Sequence, residues 1–121
     1  MYNRTTMDHF LKPRNVGEIA GGAAGNGLNP DCGDTVVVTL AVDGDVVREA
    51  RFRSKGCAGA IASCSAVTEL LVGRTLADAA ELAAADVDAF LGGMPPAKLN
   101  CAEMAATAAR DAARTVLDSR S

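Results

Sequence analysis

The segment TVVVTLAVDGDVVREARFRSKG, residues 35–56, decides the fold of this chain. It contains two runs rich in β-branched residues, separated by Asp43-Gly44, a dipeptide that favours the tight type I′ turn of a β-hairpin. Charged side chains alternate with apolar ones in the second run, which predicts that one face of the hairpin is exposed to solvent. We expect that face to carry Val47, Glu49, Arg51 and Arg53, and the other face to carry Ala50 and Phe52.

The residues after the hairpin favour helices. In CAGAIASCSAVTELLV, which follows Gly56, apolar residues recur at a spacing near that of a helix, and Gly73 supplies a C-terminal stop. Two short helices are expected between residues 75 and 93, and MPPAK, residues 94–98, is expected to be extended. The alanine-rich C-terminal segment predicts a long helix with Asn100 as its N-cap.

The residues before the hairpin predict one short helix, residues 5–11, which Pro13 ends. The run GEIAGGAAGNGLNPDCGD, residues 17–34, contains six glycines and predicts a flexible loop. This order of elements predicts an α+β fold, in which a small antiparallel β-sheet of about three strands packs against several α-helices and the C-terminal helix is long.

The composition is typical of one globular domain. The chain has 121 residues, of which 49% are hydrophobic, so we expect residues 1–121 to form a single domain. With 12 basic and 15 acidic residues the net charge is −3, which favours neither nucleic acid nor a membrane surface as a partner. The stretch MYNRTTMDHFLKPRN lacks an apolar core and a cleavage pattern, and no run is long enough to cross a bilayer, which predicts a cytoplasmic protein.

Three of the four cysteines lie at the ends of predicted elements, and in a reducing compartment they are better candidates for metal ligands, nucleophiles or core residues than for disulfides. Cys57 and Cys101 begin helices, where the helix dipole is expected to lower the pKa of a thiol. Their spacing from Cys32 matches no CxxC-type zinc motif. Asp34 adds an oxygen donor, and three sulfurs with one carboxylate would suit Zn²⁺ or clustered iron. The alternative is three unrelated thiols, with Asp34 only shaping the bend at Gly33.

Four stretches carry a family resemblance: HFLKPRNVGEI, CGDTVVVTL, ARFRSKGCAGAIASCSAVTELLVGRTL and MPPAKLNCAEMA. In order and at compatible spacing they resemble the U-type iron–sulfur cluster assembly scaffold, the IscU family that also forms the N-terminal domain of NifU. By this resemblance Cys32, Asp34, Cys57 and Cys101 match the three cluster-binding cysteines and the nearby aspartate of that family.

The resemblance implies a scaffold and carrier rather than an enzyme. Such a scaffold receives sulfur as persulfide from a cysteine desulfurase, takes up iron, builds a transient [2Fe–2S] cluster and passes it to acceptor apo-proteins, with an iron donor or a ferredoxin among its partners. Asp34 in a glycine-rich loop would be a labile oxygen ligand, so that the cluster is held loosely enough to be transferred. The isolated protein would bind Zn²⁺ or Fe at the same residues.

Two departures from the family pattern concern the segment before Cys101. The family commonly has His at the position of Asn100. Asn is a poor metal ligand, so the substitution removes a candidate ligand. The family's chaperone-recognition peptide, LPPVK in its common form, here consists of Met94, Pro95, Pro96, Ala97 and Lys98. Replacement of Val by Ala removes apolar contact and weakens the expected recognition by an Hsp70 and J-protein pair. Lys98 either offsets persulfide or sulfide charge beside Cys101 or is simply solvated.

Cys64, His9 and two glycines lie outside this ligand set. Cys64, two helical turns after Cys57, is expected to be a small core residue rather than a fourth ligand or resolving thiol. His9 is expected at the surface or facing a partner. Gly56 and Gly59 either allow close backbone approach to a cluster or serve turns and packing, and we do not assign them to the site.

Two competing functions remain. One is a zinc-containing sulfurtransferase partner, which relays persulfide from a desulfurase; such relatives usually carry an insertion between the second and third cysteines, for which the interval here is short. The other is a zinc-dependent hydrolase, which the remoteness of the single histidine from every cysteine disfavours.

Overall fold

The computed structural model describes residues 2–29 and 33–120, which form a three-stranded antiparallel sheet packed against helices. The α+β class expected from the sequence, including the long C-terminal helix, is confirmed. No helix within the described ranges has both the length and the apolar composition needed to cross a membrane. In chain order the elements are α1 (Arg4–Leu11), β1 (Ala23–Asn29), β2 (Asp34–Asp43), β3 (Val46–Lys55), α2 (Ala58–Leu71), α3 (Leu76–Ala79), α4 (Ala84–Phe90), a 3₁₀ turn (Pro96–Lys98) and α5 (Leu99–Ser119).

Strands β2 and β3 form the expected hairpin, but its register contains a β-bulge near the turn. Glu49 pairs with Ala41 and Val47 pairs with Val42, so Arg48 is an extra residue on β3. A bulge of this kind changes the face that the following side chains reach. Val47 is consequently buried, at 1% exposure, and the expectation that it lies on the solvent face is wrong.

Strand β1 lies inside the glycine-rich run, and over Ala23–Asn29 the expectation of a flexible loop is wrong. Its buried face approaches α5 so closely that side chains would not fit there. A Cβ atom added to Gly25 would lie 2.2 Å from the backbone nitrogen of Ala112, and one added to Gly27 would lie 2.2 Å from the carbonyl oxygen of Met104. The glycines therefore serve direct contact between the backbones of a strand and a helix.

Side chains of α5 also satisfy the free edge of β1. The backbone N–H of Asn26 donates to Oδ2 of Asp111 at 3.0 Å, and the hydroxyl of Thr115 donates to the carbonyl oxygen of Ala24 at 3.3 Å. An edge strand otherwise presents unpaired backbone groups. Residues later in β1 contact residues earlier in α5. The C-terminal end of β1 therefore lies near the N-terminal end of α5.

Helix α2 is the central helix and most of its residues are buried. Cys64 lies on it with 0% exposure, and burial raises the pKa of its thiol to about 12. A thiol in such surroundings stays protonated and packs as a small apolar group. The expectation that Cys64 is a core residue is confirmed.

Helix α1 packs on α2, and this contact buries His9. Its Nδ1 lies 2.8 Å from the hydroxyl of Ser65, which also accepts a hydrogen bond from the backbone N–H of Arg14 at 2.9 Å. The imidazole meets the ring of Phe90 edge to face at a centroid distance of 5.7 Å. Burial, and then the charge of Arg14, lower the pKa of His9. The expected surface position of His9 is therefore wrong.

Helix α5 begins at Leu99, one residue before the expected N-cap. The preceding 3₁₀ turn over Pro96–Lys98 leads directly into it, so the second half of the segment expected to be extended is helical. Lys98 occupies the N-cap position, and Asn100 lies inside the first turn. Pro96 fixes a backbone angle that suits the start of a helix, and α5 begins without the side-chain cap that was expected at Asn100.

Substitution of Gly27 by Ala is expected to lower the free energy of unfolding by about 3 kcal/mol, because the new methyl group overlaps the backbone of α5. The backbone angles of Gly27 are not of the left-handed kind, so the effect is steric. Urea unfolding followed by circular dichroism measures it.

The matched control is Ala24→Ser on the exposed face of the same strand, which should change stability by less than about 0.5 kcal/mol. Equal unfolding midpoints for Gly27→Ala and Ala24→Ser would contradict the close approach of β1 and α5.

Candidate metal centre

Three residues with metal-binding side chains meet at one end of the sheet. Asp34 is the first residue of β2, Cys57 is the N-cap of α2, and Cys101 is the third residue of α5. One ligand atom from each lies within 4.8 Å of the others, and the two sulfurs are 3.9 Å apart. Two thiolates on one tetrahedral zinc ion are about 3.8 Å apart, so the pair already has a separation that a single metal ion can bridge.

The centre is largely closed to solvent. Cys101 is 2% exposed and Asp34 is 8% exposed, whereas Cys57 is half-buried. Oδ2 of Asp34 is buried without a hydrogen-bond partner among the described residues. A buried carboxylate oxygen without a partner is unfavourable unless a cation or a donor reaches it. The two thiols and the carboxylate of this pocket therefore suit a bound cation.

Two glycines on either side of Cys57 shape the pocket. A Cβ atom on Gly56 would lie 2.7 Å from Cγ of Asp34, so a larger residue there would displace the carboxylate. A Cβ atom on Gly59 would lie 3.3 Å from the sulfur of Cys101 and 2.8 Å from the hydroxyl of Tyr2. Both glycines therefore belong to the site, although the sequence did not assign them to it. Their closeness to Cys57 in the sequence is the feature that could have indicated this.

Tyr2 and Met94 also contribute to this pocket, and nothing in the sequence pattern indicated it. The methyl group of Met94 would lie 3.5 Å from a Cβ on Gly59, on the face shared with the Tyr2 hydroxyl. Burial raises the pKa of the Tyr2 phenol, while Lys98 and the backbone N–H of Gly59 oppose the change. These residues reach the centre through the tertiary fold, since Tyr2 precedes α1 and Met94 follows α4.

The electrostatics of Cys101 differ from the expectation based on the helix dipole. Burial raises the pKa of this thiol to about 12, and the neighbouring Cys57 and Asp34 act in the same direction. Lys98 opposes the increase. For Cys101 the expected lowering of the pKa is wrong, because desolvation and nearby negative groups outweigh the partial charge of the helix N-terminus.

The remaining candidates occupy different positions. Cys32 lies outside the described residues. Cys64 lies in the core, where the charge of Cys101 still contributes to raising its pKa, but it is not among the three donors that lie within 4.8 Å of one another. His9 lies in the contact between α1 and α2. In the chaperone-recognition-like segment, Met94 is buried against Ser63, Pro95 is half-buried, and the next two residues, Pro96 and Ala97, are exposed.

Known proteins resemble this chain over nearly its whole length. Residues 1–119 match the family model described as NifU-like N terminal domain. The iron-sulfur cluster assembly scaffold protein IscU of Aquifex aeolicus is 42% identical over 107 residues, covering 85% of this chain and 68% of that protein. IscU 1 of Archaeoglobus fulgidus, described in the same words, is 40% identical over 113 residues, covering 93% of this chain and 74% of that protein.

The fold also resembles solved structures. A candidate iron-sulfur cluster assembly scaffold protein for the SUF system from Fervidobacterium islandicum AW-1 superimposes with a TM-score of 0.71. The alignment covers 89% of this chain and 93% of that chain at 22% identity, which supports a common fold.

Substitution of Asp34 by Ala is expected to raise the free energy of unfolding of the metal-free protein by about 1 kcal/mol, because it removes a buried oxygen that has no hydrogen-bond partner within residues 2–29 and 33–120. Urea unfolding after treatment with a chelator measures the change. Glu81→Ala, which removes an exposed carboxylate, is the control and should leave stability nearly unchanged. A less stable Asp34→Ala protein would contradict the assignment of an unsatisfied carboxylate.

Proposed function

Because the chain belongs to the NifU-like N terminal domain family, we propose that it is a scaffold on which an iron–sulfur cluster is assembled and from which the cluster is transferred. The observation that carries the proposal is the meeting of two thiols and a carboxylate from three distant parts of the chain, with ligand atoms within 4.8 Å of one another. Oδ2 of that carboxylate is buried and has no hydrogen-bond partner in the part of the chain that the structure describes. Such a set binds iron or zinc through soft sulfur and one harder oxygen.

The proposed cargo is a [2Fe–2S] cluster held by Cys32, Asp34, Cys57 and Cys101. Cys32 stands two residues before Asp34 in the sequence and would complete the four ligands. Iron binds a carboxylate oxygen less tightly than a thiolate, so the Asp34 side of the cluster would be the first to open. The protein would act as a carrier whose weak ligand allows release, rather than as an enzyme.

The proposed sulfur source is a persulfide on a cysteine desulfurase. The Cys101 thiol attacks the terminal sulfur of the persulfide anion and gives up its proton, a new S–S bond forms on Cys101, and the desulfurase cysteine takes up that proton and leaves as a thiol. Conversion of this sulfur to sulfide takes two electrons, for which a ferredoxin is the proposed donor, while an iron donor supplies the metal. Lys98 acts on the pKa of Cys101 in the direction that favours the thiolate, which suits it to offset the charge of the bound sulfur.

Transfer to acceptor apo-proteins is the proposed last step. The exposed Pro96 and Ala97 leave part of residues 94–98 accessible to an Hsp70 and J-protein pair. Because Ala97 offers less apolar surface than the Val of the common family peptide, we expect such a pair to bind weakly.

A zinc-containing sulfurtransferase partner is the second candidate. The separation of 3.9 Å between the sulfurs of Cys57 and Cys101 fits one tetrahedral zinc ion as well as one iron of a cluster. In that function the metal would stay bound while a cysteine relays persulfide.

Anaerobic reconstitution with iron, cysteine and a desulfurase separates the two candidates. We expect the visible absorption of a [2Fe–2S] cluster, followed by its transfer to an apo-ferredoxin. Cys101→Ala should lose the colour, whereas Cys64→Ala should keep it because that thiol lies in the core. Retained zinc without colour would support the relay and contradict the scaffold.

Cluster release should become several-fold slower in Asp34→Ala, because the exchangeable oxygen ligand through which an incoming thiolate gains access to iron is missing. The decay of the cluster absorption in the presence of apo-ferredoxin measures the rate. Glu81→Ala should release the cluster at the wild-type rate. Faster release from Asp34→Ala would contradict the proposed role of the carboxylate.

A further inference from the structure

The residues that precede α1 lie against the metal centre. The hydroxyl of Tyr2 and the sulfur of Cys101 approach the same face of Gly59, at 2.8 Å and 3.3 Å from the position of an added Cβ. Tyr2 packs against the hydrophobic core, and Cys101 is almost completely buried although it stands in the first turn of its helix. The aromatic side chain is therefore positioned to shield this thiol.

Asn3 holds this segment in place. Its Nδ2 donates to the carbonyl oxygens of Leu91 at 2.8 Å and Gly93 at 3.0 Å, while its Oδ1 accepts from the backbone N–H of Thr6 at 2.8 Å. The first two bonds join the N-terminal segment to the end of α4, and the third caps α1. The backbone of Gly93 is in the left-handed region, at φ +96°, which directs its carbonyl in a turn that suits glycine.

The same turn leads directly into residues 94–98. The backbone N–H of Met94 donates to Oδ1 of Asp88 at 2.7 Å, and the Met94 methyl group faces Gly59 beside the Tyr2 hydroxyl. The segment that begins at Met94 is followed at once by α5, which carries Cys101. A displacement of Met94 would therefore disturb the Gly93 carbonyl that Asn3 binds.

We propose that Tyr2 and Asn3 form a strap that covers the Cys101 thiol, and that outward movement of residues 94–98 releases the strap. Closed, the strap keeps small reagents and competing metals from the thiol. Open, it admits the sulfur donor. This inference rests on the proposed function for its purpose, but the cover itself is a property of the metal-free protein.

The test is the rate at which iodoacetamide alkylates each cysteine of the chelator-treated protein, measured by mass spectrometry of the peptides. Asn3→Asp keeps the acceptor that caps α1 but loses both donated bonds, so it should increase the rate at Cys101 about tenfold by opening the segment locally. Tyr2→Ala should do the same, and Tyr2→Phe, which keeps the ring, should react at nearly the wild-type rate.

The alkylation rates of the other two described cysteines distinguish local opening from unfolding. Cys57 is half-buried and serves as the reference, and Cys64 in the core reports unfolding. Arg4→Ala, an exposed position on α1, is the neutral control. An unchanged rate at Cys101 in Asn3→Asp and Tyr2→Ala would overturn the strap. A parallel increase at Cys64 would also overturn it, because the effect would then be unfolding.

The coupling is tested by Asp88→Ala, which removes the acceptor for the Met94 N–H, beside Asp88→Asn, which keeps one. Asp88→Ala should speed alkylation of Cys101 and Asp88→Asn should not. If the strap variants respond and Asp88→Ala does not, the link to residues 94–98 is overturned while the cover stands. Because these assays contain no iron or desulfurase, their failure is separate from failure of the reconstitution.

Discussion

The contact between β1 and α5 determines where the donors of the candidate metal centre meet. Gly27 and Gly25 bring the strand backbone against the helix backbone at Met104 and Ala112, and a side chain at either glycine would prevent this approach. Because the two elements run in opposite directions, β1 ends where α5 begins. The chain that leaves β1 then returns as β2 with Asp34 at its start, next to Cys101. A steric requirement of two glycines thus sets the position of ligands that are separated by more than half of the sequence.

The metal-free centre combines groups that are unfavourable together. The Asp34 carboxylate has a buried oxygen without a partner among the described residues, and the Cys101 thiol is kept protonated by burial and by its neighbours. A bound cation would compensate for both features, since it would pair with the oxygen and replace the proton on sulfur. Metal binding at such a centre releases protons and is coupled to the stability of the fold. The same electrostatics that make the empty pocket costly would also make it selective for positively charged cargo.

Local sequence patterns predicted the elements whose signals lie within one segment. The hairpin, α2, and the long α5 follow from β-branched runs, helical periodicity and alanine content. The sequence did not reveal β1, because the role of Gly25 and Gly27 depends on a helix that lies some eighty residues later. Nor did it reveal that Val47 is buried, because a single extra residue on β3 moves its side chain to the other face of the sheet. The resemblance to a family predicted which cysteines and aspartate to consider, yet the raised pKa of Cys101 and the burial of His9 depend on packing that only the folded chain contains.

Asn100, at the position where the family resemblance implied a His, stands beside Cys101 in the first turn of α5. Successive residues of an α-helix point about 100° apart, so the side chains of Asn100 and Cys101 leave the helix in different directions. Cys101 is buried in the centre and Asn100 is exposed. The group of donors whose ligand atoms lie within 4.8 Å of one another consists of Asp34, Cys57 and Cys101. None of these three donors comes from position 100, so Asn100 leaves their arrangement intact, and the carboxylate and the two thiols supply the candidate ligands of this centre.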